Sequence, residues 1–332
     1  HMYTDLAAAF HSRGIIYSQQ HRYRRALRCF RISEHWRERL DVPGELARIR
    51  NGIGYLLCQH EQYVEAHRYF RLALNTVLRI KDFSEITISL YNLAWVYAET
   101  CAHESALLIL NCLRDMLRIR GTAYFPFRNL HDVLLLQGLV YMQQQDLART
   151  AQIVDRSYQL QIPVSEEGRF IRPLLEAWVQ SQQGDMTHAL QTMAQANQAC
   201  QMAKDLTVHQ RLLWHEMAVR IYRLAGTANL SRAWHHLHEA GKLSAQFHLP
   251  HHRERLRFAW QSKPLTIQGN TLSPPSRIEL DQVLHLVRQE QRMNKLWLRV
   301  HEMRLLSTLQ GLATEDDSDK RIAHETLRLI CS

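Results

Sequence analysis

Small and large apolar positions alternate along this chain in a pattern that returns every 40 residues. Gly14, Gly54 and Ala94 each open the same series. An aromatic residue or leucine follows three positions later, an alanine twelve later, a large apolar residue sixteen later and a closing residue nineteen later. The three copies are Tyr17, Ala26, Phe30 and Ser33; Leu57, Ala66, Phe70 and Ala73; and Tyr97, Ala106, Leu110 and Leu113.

This spacing predicts antiparallel helix pairs, because small residues let two backbones approach and large ones fill the space beside them. Two weaker copies follow after spacings of 44 and 39 residues. They are Gly138, Tyr141, Thr150, Val154 and Ser157, then Ala177, Gln180, Ala189, Met193 and Ala196. Repeats of this length are typical of stacked solenoids. We therefore predict an all-α fold, a right-handed superhelix of antiparallel helix pairs with a period near 40.

The segment Gly52 to Ala73, GIGYLLCQHEQYVEAHRYFRLA, resembles the tetratricopeptide family. The resemblance lies in a small-x-x-Tyr pattern on the first helix of a pair and Ala-x-x-x-Phe-x-x-Ala on the second. The chain departs from that family in its period near 40 instead of 34, in the missing proline after each second helix and in the missing Trp at the start of each first helix. The resemblance implies a long-helix variant of the fold.

Chain organisation follows from where the register stops. Residues 3–261 are predicted to form a solenoid of about six pairs, and residues 262–276, rich in Pro and Gly, a linker or contact loop. Residues 277–332 are predicted to continue or cap the solenoid. The helices expected there are Arg277–Arg292, Lys295–Gln310 and Asp319–Ile330.

The stretch from Leu280 to Ile330 is similar in its order of helices to the sensor region of large ATP-dependent LuxR-type bacterial activators, such as the maltose regulator. A leucine-rich helix, a basic residue, a long apolar helix and a final Ala-x-x-x-Leu helix follow one another. The similarity implies a regulatory module that receives a small molecule or an inhibitory protein. No phosphate-binding G-x-x-x-x-G-K-[ST] motif and no terminal helix-turn-helix appear, so any output domain is expected elsewhere.

Composition agrees with a helical chain. Its 332 residues include only 12 Gly and 8 Pro, and 46% of them are hydrophobic. Six cysteines without framework spacing indicate reduced thiols in the cytoplasm, and no apolar run reaches the roughly 18 to 20 residues of a membrane helix. The start, His1-Met2-Tyr3, looks like a cloning remnant followed by either a native start or an internal truncation.

Catalytic chemistry is not expected, because no nucleophile signature accompanies a base, and no cofactor is predicted. Histidines cluster at His235, His236 and His238 and again at His248, His251 and His252. A shared metal would need further ligands at closing spacing, so we interpret these as surface histidines at helix ends and predict no metal site.

Charge is uneven along the chain, whose formal net charge is +9. The segment from His21 to Leu40 carries seven arginines and two glutamates, which would suit a phosphate backbone or a solvated helix face. Without a reading helix or a stacking platform, an acidic protein partner is favoured over nucleic acid. The predicted basic patch is Arg22, Arg24, Arg25, Arg28 and Arg31.

The first helices of the pairs supply the predicted binding surface. The residue after each small one should face the concave side, giving an apolar ladder of Ile15, Tyr55, Trp95, Leu139 and Trp178, with Tyr55, Trp95 and Trp178 partly exposed. Packing of Tyr55 and Trp95 against the preceding pair is the alternative. The predicted partner-binding residues are Asn51, Tyr55, Asn92, Trp95, Glu99, Leu139, Gln143, Trp178 and Gln182.

These features predict a non-catalytic module of a bacterial regulatory protein that binds a protein segment or a small effector in its concave groove. A protein or peptide partner is favoured, and no membrane partner is expected. Two other classes stay open: a stand-alone adaptor that assembles other proteins, and a basic scaffold that binds nucleic acid.

Overall fold

A computed structural model describes residues 2–120, 130–160, 165–202, 207–261 and 272–312. Within these ranges the chain forms fourteen α-helices, a 3-10 turn at Thr227–Asn229 and connecting turns. The helices are α1 Met2–Gln19, α2 Tyr23–Arg39, α3 Pro43–Cys58, α4 Tyr63–Ile80, α5 Phe83–Glu99, α6 His103–Arg120, α7 Leu130–Gln143, α8 Leu147–Gln159, α9 Glu166–Gln182, α10 Met186–Met202, α11 Val208–Leu224, α12 Leu230–Gln246, α13 Pro250–Gln261 and α14 Arg277–Leu312. The chain divides into two compact units, His1–Leu280 and Asp281–Ser332.

The first unit is a superhelix of helix pairs, as the register predicts. Helices α1 to α12 pair consecutively, and the second helix of each pair also contacts the first helix of the next. From α3 onward the first helices contact one another in a row, α3 with α5, α5 with α7, α7 with α9 and α9 with α11, and α13 continues the row against α11. The solenoid therefore has an inner layer of first helices.

Turns with a left-handed residue set the length of the repeat. His21, Asp41, Glu61, Lys81 and Cys101 all have positive φ and follow one another at intervals of 20 residues. At these turns the backbone N–H of the residue after the left-handed one donates to the carbonyl oxygen five residues earlier. One example is the bond from Gln62 to Leu57, at 3.0 Å. Such a bond satisfies a carbonyl left open at the helix end. The 40-residue period is thus two helix-and-turn units of 20.

The predicted register is confirmed in the helix contacts. The five small residues and their five partners are all buried: Gly14, Gly54, Ala94, Gly138 and Ala177, with Ala26, Ala66, Ala106, Thr150 and Ala189. A Cβ atom added to Gly54 would lie 2.5 Å from the Phe70 ring, and one added to Gly14 would lie 2.6 Å from the Phe30 ring. The glycines are required because each ring lies directly against a helix backbone.

The C-terminal segment differs from its prediction. Arg277–Arg292 and Lys295–Gln310 were expected to be separate helices, but α14 runs continuously through both. No Gly or Pro separates the two segments, so nothing in the backbone ends the first helix there. The third expected helix, Asp319–Ile330, lies outside the described residues.

Only the last five residues of the predicted linker, 272–276, are described, because residues 262–271 lie outside the described ranges. Residues 272–276 are not helical, and they contact the superhelix. The Tyr97 hydroxyl donates to the Ser273 carbonyl oxygen at 2.5 Å, and Arg71 forms an ion pair with Glu279 at 3.2 Å. This part of the linker is a contact loop against α4 and α5.

No helix within the described ranges combines the length and the hydropathy needed to cross a bilayer.

The glycine contact can be tested with one methyl group. Gly54→Ala should lower the free energy of unfolding by about 1 to 3 kcal/mol, because the added Cβ overlaps the buried Phe70 ring. Gly241→Ala is the matched control, since no atom lies within 4 Å of the added methyl group and alanine favours the helix by up to about 1 kcal/mol. Urea denaturation followed by circular dichroism measures both. Equal effects of the two substitutions would contradict the close approach of α3 and α4.

Candidate functional site

A pocket opens on the inner face of the first unit. Side chains from α3, α5, α7, α9, α11 and α13 line it, together with Thr207 just before α11. Its volume is about 860 Å³ when solvent at the mouth is included. Since every lining helix but α13 is the first helix of a pair, the pocket is the concave surface of the superhelix.

The structure brings together six of the nine residues predicted from the register to bind a partner. They come from three successive first helices, because the position after each small residue points inward on all three. The six residues are Tyr55, Asn92, Trp95, Glu99, Leu139 and Gln143. Their participation in binding stays a prediction.

The other three predicted residues lie away from the pocket. Trp178 is only 2% exposed, so the expectation that it is partly exposed was wrong. It lies on α9, which contacts α7, α8, α10 and α11. Asn51 is buried and donates to Ser89 Oγ at 3.0 Å, so it joins α3 to α5. Gln182 is exposed at the end of α9.

Aromatic rings form one wall of the pocket. Tyr55 is 36% exposed, Trp95 is half-buried and their ring centroids lie 6.0 Å apart. His209 stands edge-on to Trp95 at 6.1 Å and to His252 at 4.6 Å. Burial, followed by the proximity of His252, lowers the pKa of His209 to about 4, so this imidazole is neutral at pH 7.

Amide groups provide the hydrogen-bonding capacity of the pocket. Asn92 and Gln143 are both at most 8% exposed, and Gln210 lies on the opposite side in α11. Each amide has an NH₂ donor and an oxygen acceptor, and the oxygens of Gln143 and Gln210 already pair with His103 Nε2 at 3.2 Å and with the Thr207 N–H at 2.9 Å. Leu136, Leu139 and Ile171 cover the remaining surface with apolar side chains.

A carboxylate from the second repeat binds the start of α13. Glu61, at the left-handed turn between α3 and α4, accepts hydrogen bonds from the backbone N–H groups of His251 and His252 at 2.7 and 3.0 Å. It also contacts His252 Nδ1 at 2.6 Å. Helix N-termini leave N–H groups unpaired, and a carboxylate satisfies them well. Burial alone would raise the pKa of Glu61, but these hydrogen bonds outweigh it and lower that pKa.

One turn further along α13, Arg255 joins three helices. Its guanidinium donates from Nε to Glu216 at 2.9 Å and from Nη1 to Glu99 at 2.5 Å. Glu216 also accepts from Arg220 at 3.3 Å. Burial opposes ionisation of Glu216, but Arg255 and Arg220 outweigh it and hold its pKa below the usual range. We call Glu61, Glu99, Glu216, Arg220, His252 and Arg255 the closing cluster.

The closing cluster and an apolar contact hold α13 across the inner face. Leu249 and Leu256 pack with Val208 and Leu212 of α11 and with Ala240 of α12. Glu61 and Arg255 tie the other side of α13 to the second and third repeats. The concave face is consequently a closed pocket in place of an open groove.

Sequence reasoning missed the contribution of α11 and α13. His252 was interpreted as a surface histidine at a helix end, but it is 4% exposed and faces Glu61. Its partner lies 191 residues earlier, and no local pattern marks such a contact. Glu61, Glu216 and Arg255 are also buried, and burial is not readable from an isolated charge in the sequence.

The chemistry of the site favours binding. Among the described residues no group of three or more His, Cys, Asp or Glu side chains could hold a metal ion. In the cluster of His235, His236 and His238, His236 contacts His215 with their Nδ1 atoms 3.1 Å apart, whereas His235 and His238 are exposed. All five residues of the predicted basic patch, at the start and along α2, are exposed, and none of them lines the pocket.

No protein-family model and no curated protein matches this chain. Among solved structures, a tetratricopeptide repeat protein from Parabacteroides merdae is similar over 86% of this chain and 99% of its own. The TM-score is 0.44 and the sequence identity 14%. At those values the similarity carries no argument, and the description as a helical-repeat superhelix rests on the helix contacts and the repeat.

Removing the central guanidinium should destabilise the first unit. Arg255→Met leaves Glu216 and Glu99 buried without their main partner, which should cost about 3 to 5 kcal/mol. Arg257→Met, an exposed position on the same helix, should change stability by less than about 0.5 kcal/mol. Combining Arg255→Met with Glu99→Gln and Glu216→Gln should recover part of the loss. Urea unfolding compares the variants, and wild-type stability of Arg255→Met would refute the closing role.

Acid should weaken the fold in a window set by buried histidines. The pKa values of His67 and His209 fall from 6.5 to about 4, in both cases chiefly through burial. Between these values the unfolded chain binds more protons, so the free energy of unfolding falls as the pH drops from about 6.5 to 4. From pH 7 to pH 5 each should contribute a loss on the order of 2 kcal/mol. His209→Gln should reduce this pH dependence, and replacing the exposed His238 should not.

Proposed function

We propose that this chain is a non-catalytic sensing module whose inner pocket holds a compact ligand, either a small effector or one projecting side chain of a partner protein. The observation that carries the proposal is the position of α13. An extended peptide needs an open groove along successive first helices, and here α13 closes that groove. What is left is a recess on the inner face, lined by Tyr55 and Trp95 and bordered by α11 and α13.

The arrangement of charges supports recognition of an uncharged group. Arg255 lines the pocket, yet Glu99 and Glu216 already balance its charge. A ligand carboxylate or phosphate would meet Glu99 beside the guanidinium and gain little from it. Amides and aromatic rings remain as the recognition groups. The pocket should therefore select a ligand that has a flat apolar surface and hydrogen-bonding groups.

A regulatory role follows if ligand binding is read by another domain or protein. The similarity of Leu280 to Ile330 to the sensor region of LuxR-type activators supports a bacterial regulator, although α14 replaces two of the helices on which that similarity was based. The competing role is a stand-alone adaptor, which would bind proteins through its outer surfaces and leave the pocket empty.

Substitutions at Trp95 and Trp178 should have different effects, one on ligand binding and the other on folding. Trp95→Ala should keep the fold and reduce ligand affinity more than tenfold, because it removes half of the aromatic wall. Trp178→Ala should instead lower the free energy of unfolding by about 3 to 5 kcal/mol, because Trp178 is buried in α9. Trp234→Ala, at a tryptophan that is 56% exposed and outside the pocket, is the matched control for loss of an indole ring.

A thermal-shift screen with a metabolite collection supplies the ligand, because a compound that binds only the folded chain raises its melting temperature. Titration calorimetry then compares the wild type with Trp95→Ala and Trp234→Ala. The proposal requires that the hit lose affinity for Trp95→Ala alone. Equal affinity for all three proteins would place the ligand outside the pocket and contradict it.

A further inference from the structure

The arginines of α2 break two rules that stabilise helices. Arg24 and Arg25 lie in the first turn, where no acidic residue accompanies them, so their charges oppose the helix dipole. Arg24, Arg28 and Arg31 then follow one another four and three positions apart, the spacing at which like charges on a helix repel. The N-cap residue, Arg22, adds another positive charge at the same end.

This repulsion is not compensated within the described part of the chain. None of Arg22, Arg24, Arg25, Arg28 and Arg31 forms an ion pair there, and all five are exposed. Arginines elsewhere do find partners, as Arg48 does with Glu85 and Arg50 with Glu34. Sites where a sequence breaks local rules without an internal gain are candidates for function.

The exposed side of α2 has a defined shape. Arg24, Arg28, Arg31 and His35 follow one line along the helix, opposite the buried line through Ala26, Phe30 and Ser33. Leu27 and Ile32 are half-buried and flank the basic line on its two sides, and all six side chains line one shallow recess. We call these six residues the arginine stripe.

We propose that the arginine stripe is a docking surface for an acidic amphipathic helix of a protein partner. Carboxylates at i, i+4 and i+7 of a helix lie on one face with the same spacing as Arg24, Arg28 and Arg31. Arginine binds carboxylates through two parallel hydrogen bonds, which a partner helix can offer repeatedly. Leu27 and Ile32 would contact apolar residues beside those carboxylates, as in other complexes where a helix lies in a groove.

The apolar flanks argue against nucleic acid as the occupant. Phosphate backbones are bound by positive charge and polar donors, and Leu27 and Ile32 offer neither. Docking of an acidic helix would also relieve the repulsion within α2, because each carboxylate lies between arginines. This surface does not line the pocket, so its test is independent of the proposed sensing function.

Fluorescence anisotropy can test the proposal with a labelled helical peptide of about 20 residues, carrying Glu at i, i+4 and i+7 with Leu beside them. A scrambled peptide of the same composition has the same charge, but its glutamates no longer lie on one face of the helix. The wild type should bind the patterned peptide at least tenfold more tightly than the scrambled one. The triple variant R24Q/R28Q/R31Q should lose at least tenfold in affinity for the patterned peptide.

Two control variants sharpen the result. R68Q/R156Q/R253Q removes the same net charge at exposed arginines outside the stripe and should change the affinity less than threefold. L27S/I32S keeps the charges and should lose at least threefold. The melting temperature of R24Q/R28Q/R31Q should equal or exceed that of the wild type, since repulsion is removed, so lost binding cannot be ascribed to unfolding.

Three outcomes would overturn the proposal. Equal affinity for patterned and scrambled peptides would show that the arginine stripe attracts any peptide of that charge and does not recognise a helix face. Tighter binding of a 20-nucleotide single-stranded oligo-dT would indicate nucleic acid as the occupant. No measurable binding of the patterned peptide at about 100 µM in low salt would show that the stripe is a solvated face.

Discussion

Contact between a small residue of one helix and a large side chain of its partner determines the architecture of the first unit. At Gly54 the Phe70 ring occupies the place where a Cβ would be, and the same relation joins Gly14 to Phe30. Such a contact fixes the distance between two helix axes and their register along each other. Because it recurs at 40-residue intervals, successive pairs have the same geometry and stack as a row, with their first helices inward. The inner surface is a consequence of that row.

Stacking of the helix pairs alone would leave an open groove along the first helices. The closing cluster holds α13 against this groove. Two buried carboxylates, Glu61 and Glu216, and the partly buried Glu99 meet two guanidinium groups and one imidazole where α5, α11, α13 and the turn after α3 come together. Buried ion pairs carry a large desolvation cost, so they add little to stability compared with apolar contacts of the same size, whereas a mismatched arrangement is strongly disfavoured. Their clearest effect is to select one placement of α13. That placement converts a groove into a pocket lined by Tyr55 and Trp95.

What the sequence revealed depends on how far apart the interacting residues lie. Ala26 and Gly14 belong to one pair and repeat with a fixed period, so the helix pairs and six of the residues that line the pocket could be predicted. The interaction of Glu61 with α13 spans 190 residues and occurs once, so no period marks it. Trp178 has the same register position as Trp95 but different neighbours, and burial is decided by the neighbours. The sequence analysis expected a helix to end near Arg292, but no Gly or Pro follows directly to end it, and α14 continues past that residue.

Glu99 links the pocket to its closure. The carboxylate lines the pocket and also accepts from Arg255, so a ligand that bonds to Glu99 competes with the contact that holds α13 to α5. A ligand shifts a conformational equilibrium only by its difference in affinity for the two states. A ligand that leaves the pair of Glu99 and Arg255 intact would favour the closed arrangement, and one that replaces Arg255 at Glu99 would favour release of α13. Because Arg255 keeps Glu216 as a second partner, the buried guanidinium would not be left without a counter-charge in either state. The proposed sensing function therefore has a physical route from ligand to helix position, and Glu99 is the residue through which it passes.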